Sequence, residues 1–186
     1  LTKWLNGNHI KTRPFSAEKQ KSREVILVGL YPPEGKDTLS SFTSLLQHIV
    51  CGSYAVFLSP EVFKRGNNPV GFLPLEKKGS LSTIYSWLYL KDEWAKKHPV
   101  FNGLPSGGLM DHQFYRELIP GTAWIGQDPP KEAIAGAIKS SLDYASGLMV
   151  SVNAFGSGNF ILNTLLIQNN LDTHPAAERL LRNLLR

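Results

Sequence analysis

Few residues in the 186-residue chain combine types and spacing that could do chemistry. The single thiol, Cys51, stands three residues after His48, a spacing that puts the two on neighbouring positions of a helical surface. Acyl transfer by such a pair needs a thiolate at a strand-to-helix turn, an imidazole oriented by an acid, and backbone N–H groups for an oxyanion. Cys51 falls instead at the end of a predicted helix, ahead of the next strand, and His48 has no orienting acid in the pattern. It reads as a buried structural thiol. Ser59, in Phe57-Leu58-Ser59-Pro60-Glu61, occupies the turn where α/β hydrolytic enzymes carry a nucleophile. That elbow needs small flanking residues, whereas Leu58 and Pro60 flank this serine and Pro60 holds it extended. No catalytic residue is assigned. Asp111 and His112 are an adjacent acid and imidazole that could serve a metal or a proton transfer. No second His or carboxylate stands at ligand spacing, so no metal site is expected. They are expected either to fix their loop by hydrogen bonds or to touch a ligand, and His98, before Pro99, is open in the same way. Pro105-Ser106-Gly107-Gly108 and Gly156-Ser157-Gly158 match no phosphate-cradling pattern, and no cofactor is expected.

The elements that must position these groups follow from periodicity. Val25 to Leu30 is a continuous apolar run ended by Pro32-Pro33, as in a strand covered on both faces. Asp37 can cap a helix in which Leu39, Phe42, Leu45, Leu46, Ile49 and Val50 form one buried stripe, with Gly52 as its stop. Ala55 to Leu58 is a second buried strand, and strand, helix, strand make a βαβ unit with parallel strands. Thr83 to Leu90 is expected to be a strand leading into a short helix at Asp92–Lys97. A loop follows over His98–Gly108, then a short helix from His112 to Leu118 and a strand end over Thr122–Ile125. Ala133–Ile138 and Gly147–Phe155 read as strands, the latter turning through Gly156-Ser157-Gly158-Asn159 into Phe160–Leu165. A last helix, capped by Asp172 or Thr173 with Pro175 in its first turn, carries Leu180, Leu181, Leu184 and Leu185. Residues 1–23 read as a basic lead-in with a short helix, and residues 24–186 as one α/β domain.

Composition narrows the function classes. Hydrophobic residues are 42% and charged residues 19% of the chain, which is globular composition. No apolar run approaches the ~18 residues of a membrane-spanning helix. The net charge of +5 gathers in Lys11, Arg13, Lys19, Lys21 and Arg23 and in Arg179, Arg182 and Arg186. Neither group is interleaved with aromatics that could stack on bases, so neither nucleic acid nor membrane is expected as a partner. One cysteine excludes an intrachain disulfide and a thiolate metal cluster. The start at Leu1-Thr2-Lys3-Trp4, with no Met and no signal-type apolar region, reads as a trimmed segment. Tyr85, Trp87, Tyr89, Trp94, Phe101, Phe114, Tyr115 and Trp124 crowd the middle third, and aromatic faces beside polar loops either pack a core or bind sugar rings. His98, Asp111, His112, Tyr115 and Trp87 are the candidate ligand-binding residues.

Three segments carry a family resemblance: His98-Pro99-Val100-Phe101-Asn102-Gly103-Leu104-Pro105 with Gly107 to Asp111, Gly52 to Phe63, and Asn159 to Leu165 with His174 to Leu181. Together they resemble the C-terminal domain of certain bacterial family 2 glycoside hydrolases (β-galactosidase- and β-mannosidase-like), over about residues 25–186. That domain is similar in fold to class I glutamine amidotransferases and ThuA-like proteins. The resemblance implies a flavodoxin-like, doubly wound, mostly parallel α/β sheet flanked by helices, closing with a C-terminal β-hairpin and helix. The turn equivalent to the amidotransferase elbow is Ser59-Pro60-Glu61, and no His-x-Glu follows, so the triad is missing. The function expected is a non-catalytic accessory domain of a carbohydrate-degrading hydrolase, supporting its barrel, its oligomer contacts or glycan binding. Its partners would be the parent's other domains, carbohydrate or a second copy of itself, with the parent periplasmic or extracellular. A stand-alone carbohydrate-binding module and a diverged amidotransferase-like or ThuA-like enzyme are the alternatives.

Overall fold

In a computed structural model, residues 1–18, 23–29, 38–84, 87, 91–140 and 144–186 are described. The elements are α1 (Thr2–Gly7), β1 (Val25–Val28), α2 (Thr38–Val50), β2 (Tyr54–Phe57), β3 (Ser80–Thr83), β4 (Lys91–Ala95), β5 (Gly108–Leu109), α3 (His112–Tyr115), β6 (Thr122–Ile125), β7 (Glu132–Ser140), β8 (Tyr144–Phe155), β9 (Gly158–Asn163) and α4 (Pro175–Leu184). The strands form one nine-stranded mixed sheet in the order β1-β2-β9-β8-β7-β4-β5, with β6 paired to β8 and β3 to β6.

The predicted βαβ unit is present, β1 and β2 being parallel neighbours joined through α2. Strand β9 adds to β2 in parallel. The two faces of this parallel portion are both covered, which is why its strands are apolar throughout. Val56 and Leu58 enter a core with Trp4 and Leu5 of α1 and Leu180, Leu181 and Leu184 of α4. Ala55 and Phe57 point the other way, into a core with Ile26, Leu45, Ile49, Phe63, Leu73 and Trp124. Within the expected α2 stripe Leu45 and Ile49 are buried, but Leu39 and Val50 are exposed. Gly52, at a φ of +109°, ends the helix region as expected. Leu30, Pro32, Pro33, the Asp37 cap, Lys19, Lys21, Tyr85 and Tyr89 lie outside the described residues.

The flavodoxin-like, doubly wound parallel sheet is not what forms. Beyond β9 every pairing is antiparallel: β9 with β8, β8 with β7, β7 with β4, β4 with β5, β8 with β6, and β6 with β3. For β7–β8 and β8–β9 the reason is connection length, since parallel neighbours need a crossover of a dozen or more residues while antiparallel ones need only a turn. Residues 141–143 join β7 to β8, and Gly156-Ser157 join β8 to β9. Gly156 takes a φ of +61°, open to glycine without strain. The expected helix at Asp92–Lys97 is strand β4. Glu93 and Ala95 are buried while Asp92 is exposed and Trp94 half-buried, a period of two that the charged run Lys91-Asp92-Glu93 conceals. The caps of α4 also differ, His174 Nδ1 accepting from the Ala176 N–H at 3.2 Å in place of Asp172 or Thr173. Among the described residues no helix is long and apolar enough to cross a membrane.

Candidate functional site

The turn after β2 is used for structure. Ser59 is buried, its backbone is extended at φ −149° and ψ 145°, and its Oγ accepts from the Glu61 N–H at 3.2 Å. The hydroxyl therefore caps the 3₁₀ turn Pro60–Phe63, and the extended geometry is the one Pro60 imposes. Cys51 corrects one expectation, being exposed at the end of α2 and not buried. His48 corrects another, because Glu24, just ahead of β1, supplies an orienting carboxylate 3.2 Å from Nδ1. Arg13 holds the other Glu24 oxygen at 2.5 Å, and Phe15 packs edge-on against the imidazole. The remaining nitrogen, His48 Nε2, is buried without a hydrogen bond and so has no link to the Cys51 thiol.

The five residues singled out as ligand-binding candidates do not converge. Trp87 is a core residue packed with Ile84 and Tyr115. His98 Nδ1 accepts from the Val100 N–H at 3.2 Å, capping Pro99–Phe101, while Nε2 lies 3.4 Å from Glu132. The same Glu132 acts on Tyr54, whose phenol is held above the usual tyrosine range by burial first and this carboxylate second. Asp111 Oδ1 accepts from the Gln113 N–H at 2.8 Å as the cap of α3. Tyr115 is fully buried and donates its hydroxyl to the Pro105 carbonyl at 2.5 Å. Burial, then the Asp111 charge, push its phenol up to about 12. His112, like Asp111, is exposed, with its Nε2 3.9 Å from Glu93. Glu93 is buried on β4 and receives Lys91 Nζ at 2.8 Å, so its charge is already answered. Among the described residues no three His, Cys, Asp or Glu side chains are placed to hold a metal ion.

What the loop from His98 to His112 builds is a groove. Its returning arm pairs with β4 through Gly107 N–H to Ala95 O at 2.7 Å and Met110 N–H to Glu93 O at 2.9 Å. A groove of about 430 Å³ results, lined by Trp94, Ala95, Lys96, Lys97, Gly107 and Gly108. Register explains its floor: Trp94 stands opposite Leu109 on β5 and Gly136 on β7. A Cβ on Gly136 would lie 2.8 Å from Trp94 Cζ2, so the indole occupies the space that glycine leaves over the sheet. Ile138 follows Gly136 on the same face two residues along β7, and Tyr144 begins β8 on that face opposite Ser140. Leu109, Ile138 and Tyr144 are 69%, 41% and 85% exposed, which makes this an apolar, aromatic surface on a sheet whose other face is core. The sequence gives no signal for this site, because three consecutive charged residues mask the in–out alternation from Lys91 to Ala95.

No family model matches the chain, and no curated protein matches it. Its structure is similar to that of the cytoplasmic protein STM3548 from Salmonella typhimurium, with a TM-score of 0.51 at 10% identity. The match covers 87% of this chain and 70% of that one. At that identity the likeness is one of fold.

Proposed function

We propose that this chain is a non-catalytic accessory domain that holds a glycan within a larger carbohydrate-degrading protein. The observation that carries the reading is the outer face of β5, β4, β7 and β8, where Trp94 lies over Gly136 beside exposed Leu109, Ile138 and Tyr144. A half-buried indole on a rigid sheet, bordered by a groove with charged rims, suits stacking against the apolar face of a pyranose ring. The use of Ser59, His98, Asp111 and Tyr115 as caps and loop ties favours a binding role over catalysis by those groups. The resemblance of the 98–111 segment to family 2 glycoside hydrolase domains supports a parent of that class.

Calorimetric titration with β-galactosides, β-mannosides and their oligomers tests the proposal. Binding in the micromolar-to-millimolar range is expected, with Trp94→Ala weakening it by about ten-fold or more, the scale of one lost aromatic contact. Absence of heat with every sugar, or turnover of aryl glycosides or glutamine by the isolated chain, would overturn it.

A further inference from the structure

The groove beside Trp94 has a charge sign. Lys96 and Lys97 leave the end of β4 on its rim, and neither is in an ion pair with a described residue. Gly107, at a φ of +92°, brings the returning loop against Lys97: a Cβ there would meet Lys97 Cγ at 2.9 Å and Cε at 3.1 Å. The lysine stem is thereby laid along the loop, so its ammonium is held at the groove with less freedom than an ordinary surface lysine. Of the nearby carboxylates, Glu132 lies 3.4 Å from His98 Nε2. Glu93 belongs to the opposite face of β4, where Lys91 pairs with it. Asp92 shares the Trp94 face two residues back along the strand, away from the lysines, and can accept from sugar hydroxyls.

Resting on the glycan reading above, we infer that the groove of Trp94, Lys96, Lys97, Gly107 and Gly108 selects an anionic sugar, a uronate or a sulfated pyranose. The ring stacks on the indole, and its carboxylate or sulfate lies at the two ammonium groups. Hydrogen bonds between charged groups are the stronger class, and fixed cations add selectivity more than bulk affinity.

The test compares four trisaccharides by calorimetry on the whole chain: a trigalacturonate, its methyl ester, galactotriose and a sulfated galactotriose. The anionic sugars are expected to bind about ten-fold more tightly than the neutral ones at low ionic strength, two exposed ion pairs contributing several-fold each. That advantage should shrink to about two-fold at ~0.5 M NaCl, where the screening length is a few ångströms. Lys96→Gln with Lys97→Gln should bring the anionic sugars down to the neutral level, and Trp94→Ala should weaken all four. Preference for trigalacturonate over the sulfated sugar, or the reverse, names the anion. Equal binding of neutral and anionic sugars would sink the selectivity while leaving the glycan reading standing. No binding by any of the four, with light scattering showing a dimer that Trp94→Ala dissociates, would overturn both and give the face to a second copy of the chain.

Discussion

Tyr115 shows how one polar group can be mistaken for a ligand contact. Its position beside Asp111 and His112 suggested a binding loop, but its hydroxyl ties the Pro105 carbonyl and so fixes the loop's path. Its phenol titrates at about 12 in the folded chain against 10 for a free tyrosine. Between those values the folded state keeps a proton that the unfolded state has released, so this contribution to stability is whole below pH 10 and is lost as pH rises toward 12. Tyr115→Phe is expected to cost about 1 kcal/mol at neutral pH, one buried hydrogen bond. Urea unfolding at neutral and alkaline pH should show a flatter decline in the variant. His98, Asp111 and Ser59 belong to the same class of residue. Each was visible in the sequence as a polar group beside a turn, and each proves to accept a backbone N–H two residues ahead. Nothing in residue type separates such a cap from a ligand contact, because both call for the same acceptor.

At the scale of elements, the junction between α2 and the β8–β9 hairpin leaves no room for a side chain at Gly158. A Cβ on Gly158 would fall 2.2 Å from the Ile49 carbonyl and 2.3 Å from that of Ser53. Both are backbone atoms at a helix end and cannot rotate away. Gly158→Ala should therefore destabilise the fold by about 2–3 kcal/mol, at the upper end for overpacking. Thermal unfolding checks this, with Gly121→Ala as a contrasting substitution where no atom lies near the new Cβ and the backbone is not left-handed. The hairpin itself was legible from Gly156-Ser157-Gly158, as was the βαβ unit from two apolar runs around an amphipathic helix. Strand β4 was not. A five-residue strand carrying three consecutive charged residues looks like a helix surface until its partner β7 is known. With β4 went Trp94, Lys96 and Lys97, the residues on which the proposed site depends.

For the whole molecule, the N-terminal helix is part of the core. Trp4 and Leu5 are each only 4% exposed. The Trp4 indole N–H donates to Glu178 at 3.3 Å, Arg182 lies over its ring at 5.2 Å, and Arg182 also donates to Asn8. Chain start and final helix are thus closed on each other over one face of the sheet. Trp4→Ala is expected to cost about 3–5 kcal/mol, a large fraction of an ordinary domain's stability. Denaturant unfolding, with Trp4→Phe as the milder partner, measures it. The opposite face is covered by α2 and the 60–75 segment over the parallel strands and is open where the antiparallel strands carry Trp94 and Tyr144.

By itself the sequence determined the local elements whose signals are self-contained: the parallel β1–α2–β2 unit, the β8–β9 turn, the proline-led last helix, and a Ser59 turn too crowded for a nucleophile. Only the tertiary structure decided how the strands of the last third pair, because apolar alternation specifies a strand but not its neighbour's direction. It alone placed Glu24 against His48, residues 24 positions apart in the chain. It also decided which aromatics are core and which are surface. Trp87 and Trp94 share a residue type and a stretch of chain, yet the first is packed inside and the second lies over Gly136 on the outer face. Burial is a property of what a strand is laid against, and that is set by partners distant in the sequence.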